Sequence, residues 1–321
     1  MGAEPDVTHA TNLAQGFETF VELRWDPKGR RWPSAAEVND VFLGWLARNK
    51  AHRFAAYLHY MDVHDPYTPE RAPPAPPGTR PALARGWVAD IARAVNFGKK
   101  PALGPDKVRY LRALYDAELT GWDAELARLL AGLRAAGVAD DTVVVVTADH
   151  GEEFQEHGHL KHGSHLYDEV LHVPLVIAGP GVTRGRVTEQ AAGVDLAPTV
   201  LALLGVPAPP GMMGTNLLAA RRVEPAISET RQGIAPDGTF TRLVSLRRAG
   251  WKLIETPASG GVEVYDLAHD PAERANRADG PEAAALRLEL AQALAAAPPP
   301  PMHTGTDPQM REKLRALGYT Q

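Results

Sequence analysis

The segment Thr147-Ala148-Asp149-His150-Gly151-Glu152-Glu153, with the residues up to Glu169, concentrates the side chains of this chain that can do chemistry. Six of the twelve histidines lie between positions 150 and 172. Asp149 beside His150 offers one carboxylate oxygen and one imidazole nitrogen to a divalent cation. The pair directly follows residues 142–147, whose β-branched run reads as a strand. Both side chains therefore fall at a strand's carboxyl end, where open α/β sheets bind ligands. Gly151 lets the chain turn away at once. A plainer reading stands beside this one: Asp149 caps a following helix and His150 is a surface residue. His157, His159, His165 and His172 read as parts of a solvated polar loop, and Glu152 and Glu153 as charges at a helix N-terminus.

A second candidate is His64, in Tyr60-Met61-Asp62-Val63-His64-Asp65-Pro66-Tyr67. It too follows an apolar run, residues 54–60, that reads as a buried strand. The prolines at 66 and 69 stiffen its loop. An imidazole held in this way can protonate a leaving group or stabilise an oxyanion. Its plainer reading is a histidine hydrogen-bonded to its own loop. If both strands share a sheet edge, His64 faces Asp149 across one cleft.

The elements that must position these residues are legible from their periodicity. A helix is expected near residues 35–50. A long amphipathic helix is expected over 105–136, with apolar residues stepping by three or four from Val108 to Leu133 and Gly137 ending it. The unbroken Val143–Val146 run implies burial on both faces, as in a parallel sheet. Residues 175–178 read as another buried strand, and 195–204 as a helix. Beyond about 220 come short strands near 226–228, 241–247, 251–255 and 262–265, then a helix over 281–296. That order suits a small antiparallel sheet with one helix. Residues 70–85 are a proline-rich surface excursion, and the prolines at 298–301 with the charged tail are peripheral.

Composition narrows the class. The chain has 321 residues, 44% hydrophobic and 23% charged, which supports a sizeable core. A net charge of −5 argues against a broad basic surface for nucleic acid. The absence of Cys excludes disulfides, thiolate metal sites and a cysteine nucleophile in this chain. No apolar run approaches the roughly 18 residues a membrane helix needs. Met1 to Asp6 has neither a basic nor an apolar signal region, so no signal peptide is expected; localisation is left open.

Taken together in this order, these segments resemble the sulfatase family of the alkaline-phosphatase superfamily. The His64 loop is similar to the family's strand-then-His loop, and Thr147–Glu153 to its Asp-His metal motif. His162-Gly163, Leu166-Tyr167-Asp168-Glu169 and Val173-Pro174-Leu175 resemble its substrate loop and the strand after it. Gly193 to Thr199 resembles its next turn and helix. Val264-Tyr265-Asp266-Leu267 with Asp270-Pro271-Ala272-Glu273-Arg274-Ala275-Asn276 resembles its C-terminal signature. The resemblance spans residues 16–318. It implies an α/β fold, a mixed and mainly parallel sheet between helices, with a small C-terminal antiparallel sheet plus helix. On this reading residues 1–220 form a partial core lacking the family's N-terminal third, and 221–321 the C-terminal subdomain and tail.

The resemblance further implies hydrolysis of a sulfate ester on a sulfated small molecule or glycan. One divalent cation, Ca2+ foremost with Mg2+, Mn2+ or Zn2+ as alternatives, falls to Asp149 and His150. His64 matches the substrate-facing histidine. The family's sulfate-binding position falls near His162, with Lys161 beside it. The family's formylglycine nucleophile arises from Cys or Ser in a Cys/Ser-x-Pro-x-Arg motif, and this chain has no candidate for it: Ser34 and Ser164 lie outside such a motif. The family's N-terminal Asp-Asp pair is also missing, since Asp140-Asp141 sits in a turn just before the metal strand. Three readings stand: a sulfatase-type chain incomplete and inactive alone, a phosphate or phosphonate ester hydrolase of the same superfamily, and a non-catalytic truncated or decayed homologue.

Overall fold

The computed structural model describes residues 13–23, 31–80, 83, 88–234, 239–248 and 250–296. The proline run at 298–301, the charged tail and the first six residues lie outside them. The described helices are α1 (Ala35–Asn49), α2 (Ala89–Asn96), α3 (Pro105–Ala136), α4 (Asp168–Leu171), α5 (Leu196–Leu203) and α6 (Pro281–Ala296). The strands are β1 (Val144–Thr147), β2 (Glu153–Phe154), β3 (Leu160–Lys161), β4 (Leu175–Ala178), β5 (Ala226–Ile234), β6 (Phe240–Arg248), β7 (Trp251–Thr256) and β8 (Gly261–Asp266). The chain forms two compact units, one drawn from 1–91, 103–140 and 299–321, the other from 92–102 and 141–298.

The first unit is built on α1 and α3. Ser34 and Glu37 close a reciprocal cap on α1, Ser34 N–H donating to Glu37 and Glu37 N–H to Ser34 Oγ. Pro105 opens α3, where its missing N–H costs nothing, and Gly137 ends it in the left-handed region at φ 74°. Val38, Phe42 and Leu46 of α1 and Leu111, Leu114, Leu129 and Leu133 of α3 are buried. Buried Asn39 donates to the Glu125 backbone and side chain at 2.9 Å. Residues 54–60, expected as a buried strand, run extended outside any described ladder, with Ala55, Ala56 and Tyr57 exposed. An apolar run is buried as a strand only where neighbouring strands cover it, and none does so among the described residues.

The second unit is dominated by an antiparallel sheet in the order β5-β6-β7-β8. Alternation along its strands makes two different faces. Val244, Leu246, Leu253 and Val264 pack against Ala283, Leu286 and Leu290 of α6. Each such buried Leu contributes roughly 1.5–3 kcal/mol. Leu243, Ile254 and Tyr265 point the other way and pack with Leu166 and Leu267. The histidine-bearing segment therefore rests on the sheet face opposite α6. β1 pairs with β4 in an antiparallel ladder, Val144 opposite Ala178 and Thr147 opposite Leu175. This corrects the parallel, doubly buried expectation at that strand: β1 is half-buried and Val176 of β4 is exposed. A β-branched run reports strand propensity, and its burial depends on neighbours that it does not encode.

Candidate functional site

His64 lies in the first unit, on a loop tied down at four points. Asp62 Oδ1 accepts the first helical N–H of α1, from Ala35, at 2.8 Å. Asp65 Oδ1 accepts Val88 N–H at 2.7 Å. Tyr67 is buried and meets Tyr115 of α3 edge-on at 5.8 Å. Thr68 N–H donates to Glu118 of α3 at 2.5 Å. The imidazole sets Nδ1 against the Asp65 carbonyl at 2.7 Å and receives Trp32 edge-on at 5.8 Å. Since a carbonyl only accepts, Nδ1 carries the proton of that contact. The loop-bonded histidine is thus what the structure has, and such a bond also fixes an imidazole's orientation for work at Nε2.

The other four candidate residues lie in the second unit. The Asp149 side chain is 63% exposed, and its Oδ1 accepts the His150 N–H at 2.9 Å. It caps no helix, because β2 follows. His150 Nδ1 contacts the Gly151 carbonyl at 2.8 Å, so Nδ1 bears hydrogen and Nε2 presents a lone pair. Nε2 stands 3.7 Å from Asp149 Oδ2, a separation that one cation can bridge from both atoms. The donor set fits a divalent cation as a partial set: one hard oxygen and one imidazole, where Ca2+ takes six to eight oxygens. Gly151 N–H bonds the Val170 carbonyl at 2.7 Å, and a Cβ at 151 would run into the Glu169 carbonyl oxygen. Glycine is therefore a steric requirement at that turn.

His162 stacks on His150, ring centroids 3.8 Å apart, and its Nδ1 faces Glu152 Oε1 at 3.1 Å. The structure thus brings Asp149, His150 and His162 together. Lys161 precedes His162 at the end of β3, with φ 72°. Glu152 and Glu153 are not helix N-terminal charges. Glu152 partners His162, and Glu153 is buried in β2, accepting the His157 and His159 backbone N–H groups at 3.2 and 2.9 Å.

The solvated-loop expectation holds only for exposed His172. His157 stacks on Tyr167 at 3.6 Å and pairs through Nδ1 with Glu169 at 2.5 Å and through Nε2 with the Glu273 carbonyl at 3.0 Å. Both partners are acceptors, an arrangement that favours the doubly protonated ring. Burial opposes that charge, but the Glu169 and Glu273 bonds outweigh it and raise the pKa. Beneath the segment lies a buried charge network. Lys252, fully buried, sits 3.0 Å from Asp168 and 2.9 Å from Glu273, with Arg247 3.2 Å from Asp168. Glu273 also accepts the Asp168 N–H at 2.6 Å. Burial would raise the Asp168 carboxyl, yet Lys252 and Arg247 together hold it below the ordinary range.

The sequence model of the sulfatase family matches residues 6–206, and that of the N-sulphoglucosamine sulphohydrolase C-terminal region matches residues 155–298. Arylsulfatase K of Bos taurus is 30% identical over 182 residues, covering 53% of this chain and 34% of that protein. The chain thus spans about a third of the length of that curated relative. The solved structure of BT4656 in complex with its substrate D-glucosamine-2-N,6-O-disulfate superposes with a TM-score of 0.63 at 22% identity, covering 84% of this chain and 71% of that one. Phosphonate monoester hydrolase from Silicibacter pomeroyi gives a TM-score of 0.59 at 24% identity, covering 89% and 67%. At these identities the structures speak for the fold, a mixed α/β architecture with the C-terminal antiparallel sheet and helix. With more than half its residues matched by one family model, and its Asp-His pair set at a strand exit beside a stacked second imidazole, the chain belongs to the sulfatase family.

Proposed function

We propose that this chain carries the cation- and sulfate-binding part of a sulfate ester hydrolase. Asp149 and His150 hold one divalent cation, Ca2+ foremost, which when bound supplies positive charge to polarise the sulfate oxygens. His162, with Lys161 beside it, contacts the sulfate. His64, in the other unit, carries an imidazole oriented by the Asp65 carbonyl, a group suited to general acid chemistry. A sulfated sugar or other small sulfate ester is the substrate class, in line with the substrate named for BT4656. The observation that carries this reading is the exposed Asp149 carboxylate 3.7 Å from Nε2 of a His150 ring that stacks on His162.

The family's covalent route needs a formylglycine, and these residues hold no Cys and no Ser-x-Pro-x-Arg. The 321-residue chain alone is therefore expected to turn over neither an aryl sulfate nor an aryl phosphate, because charge stabilisation without a nucleophile leaves only a residual rate. Calorimetric titration with Ca2+, then with inorganic sulfate, tests the binding reading. Asp149→Ala should abolish the Ca2+ isotherm and His162→Ala should weaken sulfate without removing Ca2+. Equal Ca2+ binding by wild type and Asp149→Ala would remove the assignment. Tighter binding of phosphate than of sulfate would shift it to the phosphate and phosphonate hydrolases of the superfamily.

A further inference from the structure

Glu153, His159 and His165 form a second cluster, separate in its ligand atoms from Asp149 and His150. β2 and β3 pair Glu153 with Lys161 and Phe154 with Leu160. The reversal between them closes with Gln155 N–H on the His159 carbonyl at 2.7 Å, which returns His159 beside Glu153. His165 arrives from the loop after β3, its ring centroid 3.9 Å from that of His159. One oxygen of Glu153 and one ring nitrogen of each histidine lie within 4.8 Å of one another. Glu153 is 1% exposed and the His165 side chain 12%.

Two details point to a ligand. His165 Nδ1 is buried and faces Glu153 Oε2 at 3.3 Å, yet it makes no hydrogen bond. Buried nitrogens are rarely left so, and an absent ion is one standing explanation. Glu153 is also oriented from behind, since its Oε1 takes two backbone N–H groups and Oε2 is left to the cluster. That is the outer support expected of a ligating carboxylate. His159 Nδ1 contacts the His157 carbonyl at 3.1 Å, which places its lone pair on Nε2.

We propose that Glu153, His159 and His165 bind a zinc ion that fastens the β2–β3 ribbon to the loop carrying His162. Two imidazoles and one carboxylate suit Zn2+, whereas Ca2+ and Mg2+ demand more oxygens than this cluster has. The neighbouring trio of Glu153, His157 and Glu169 does not compete, because both ring nitrogens of His157 already face acceptors.

The test is Zn2+ binding to the 321-residue chain by equilibrium dialysis with metal analysis, in the presence of millimolar Ca2+. The Asp149→Ala/His150→Ala variant should retain one tight Zn2+, while His159→Asn/His165→Asn should lose at least about 100-fold in Zn2+ affinity. That split separates this site from the cation pair of the proposed function, so either can fail alone. Co2+ added to the wild type should give the intense visible absorption of a four-coordinate site. This second readout needs no variant to fold. Unchanged Zn2+ affinity in His159→Asn/His165→Asn, loss of the tight Zn2+ in Asp149→Ala/His150→Ala, or only weak six-coordinate Co2+ absorption would overturn the proposal.

Discussion

The His64 loop and the segment from Asp149 to Glu169 both carry imidazoles out of an apolar run, but they hold them by opposite means. His64 is set by a neighbouring backbone carbonyl, and the loop's own carboxylates, Asp62 and Asp65, cap backbone N–H groups. In the second segment imidazoles meet carboxylates: His162 with Glu152, His165 with Glu153, His157 with Glu169. That segment further rests on Lys252, Arg247, Asp168 and Glu273. Among the described residues the His64 ring meets a backbone carbonyl and an indole edge, whereas the second segment adds carboxylates and charge brought from far along the chain. The first arrangement is expected to tolerate local change. The second is expected to fail when a distant partner is removed.

The largest effect should follow Lys252→Met. Lys252 is fully buried between Asp168 and Glu273, so its loss leaves buried Glu273 without a cation and Asp168 with Arg247 alone. Removing one partner of such a set costs about 3–5 kcal/mol. Urea unfolding followed through half-buried Trp251, on the same strand, should show the loss. A change below about 1 kcal/mol would mean that the network is solvated and that the contrast with the His64 loop is overstated. Gly151→Ala comes next, at about 1–3 kcal/mol, because its Cβ meets the Glu169 backbone rather than a side chain that can move aside. It should also weaken Ca2+ binding, since the clash sits one residue from His150, and calorimetry on the folded variant reads that separately.

These two residues also mark how far the sequence carries. The Pro105 start and Gly137 stop of α3, the whole of α6 and the four C-terminal strands are legible, because helix signals and strand alternation are local. Asp149, His150 and His162 are found together from type, order and family resemblance. Lys252 and Glu273 are not found as supports of the site. Their partner Asp168 lies 84 and 105 positions away, and nothing local distinguishes a buried lysine in an alternating strand from an exposed one. Glu153 is missed for a related reason. A two-residue strand shows no period, and a Glu-Glu pair after glycine reads as a helix start. The sequence overstates burial at residues 54–60 and 143–146 because burial belongs to neighbours.

A smaller effect is expected from pH, and it sharpens the comparison through carboxyl rather than imidazole chemistry on the His64 side. Burial, then the Asp62 charge, push Glu118 up from 4.5 to about 7 against the opposing Thr68 N–H bond. A folded pKa above the unfolded one gives stability that is whole below pH 4.5 and is lost as pH rises through about 7. Glu118→Gln should therefore be the more stable form at pH 8, by about 1 kcal/mol once solvent screening is allowed for. Below pH 4.5 the two should converge. His157 works with the same sign in the other unit: its stabilisation is whole below 6.5 and fades as pH rises through its raised value. Thermal melts from pH 4 to 9 on wild type, Glu118→Gln and His157→Gln separate the two contributions. A Glu118→Gln variant less stable than wild type at pH 8 would contradict the sign.

The smallest structural effect should come from His64→Gln. The Asp65 carbonyl that holds the ring also accepts the Trp32 indole N–H at 3.1 Å, and an amide can donate to the same oxygen. The loop's other ties, at Asp62, Asp65, Tyr67 and Thr68, do not pass through the imidazole. The change should therefore cost no more than about 0.5 kcal/mol, within the range of substitutions away from special features. Ca2+ binding, proposed for Asp149 and His150, should be unchanged. Loss of stability well above that figure would show that His64 supports the loop rather than being supported by it. The loop would then join the charge-held segment as a region whose histidine cannot be replaced without unfolding its surroundings.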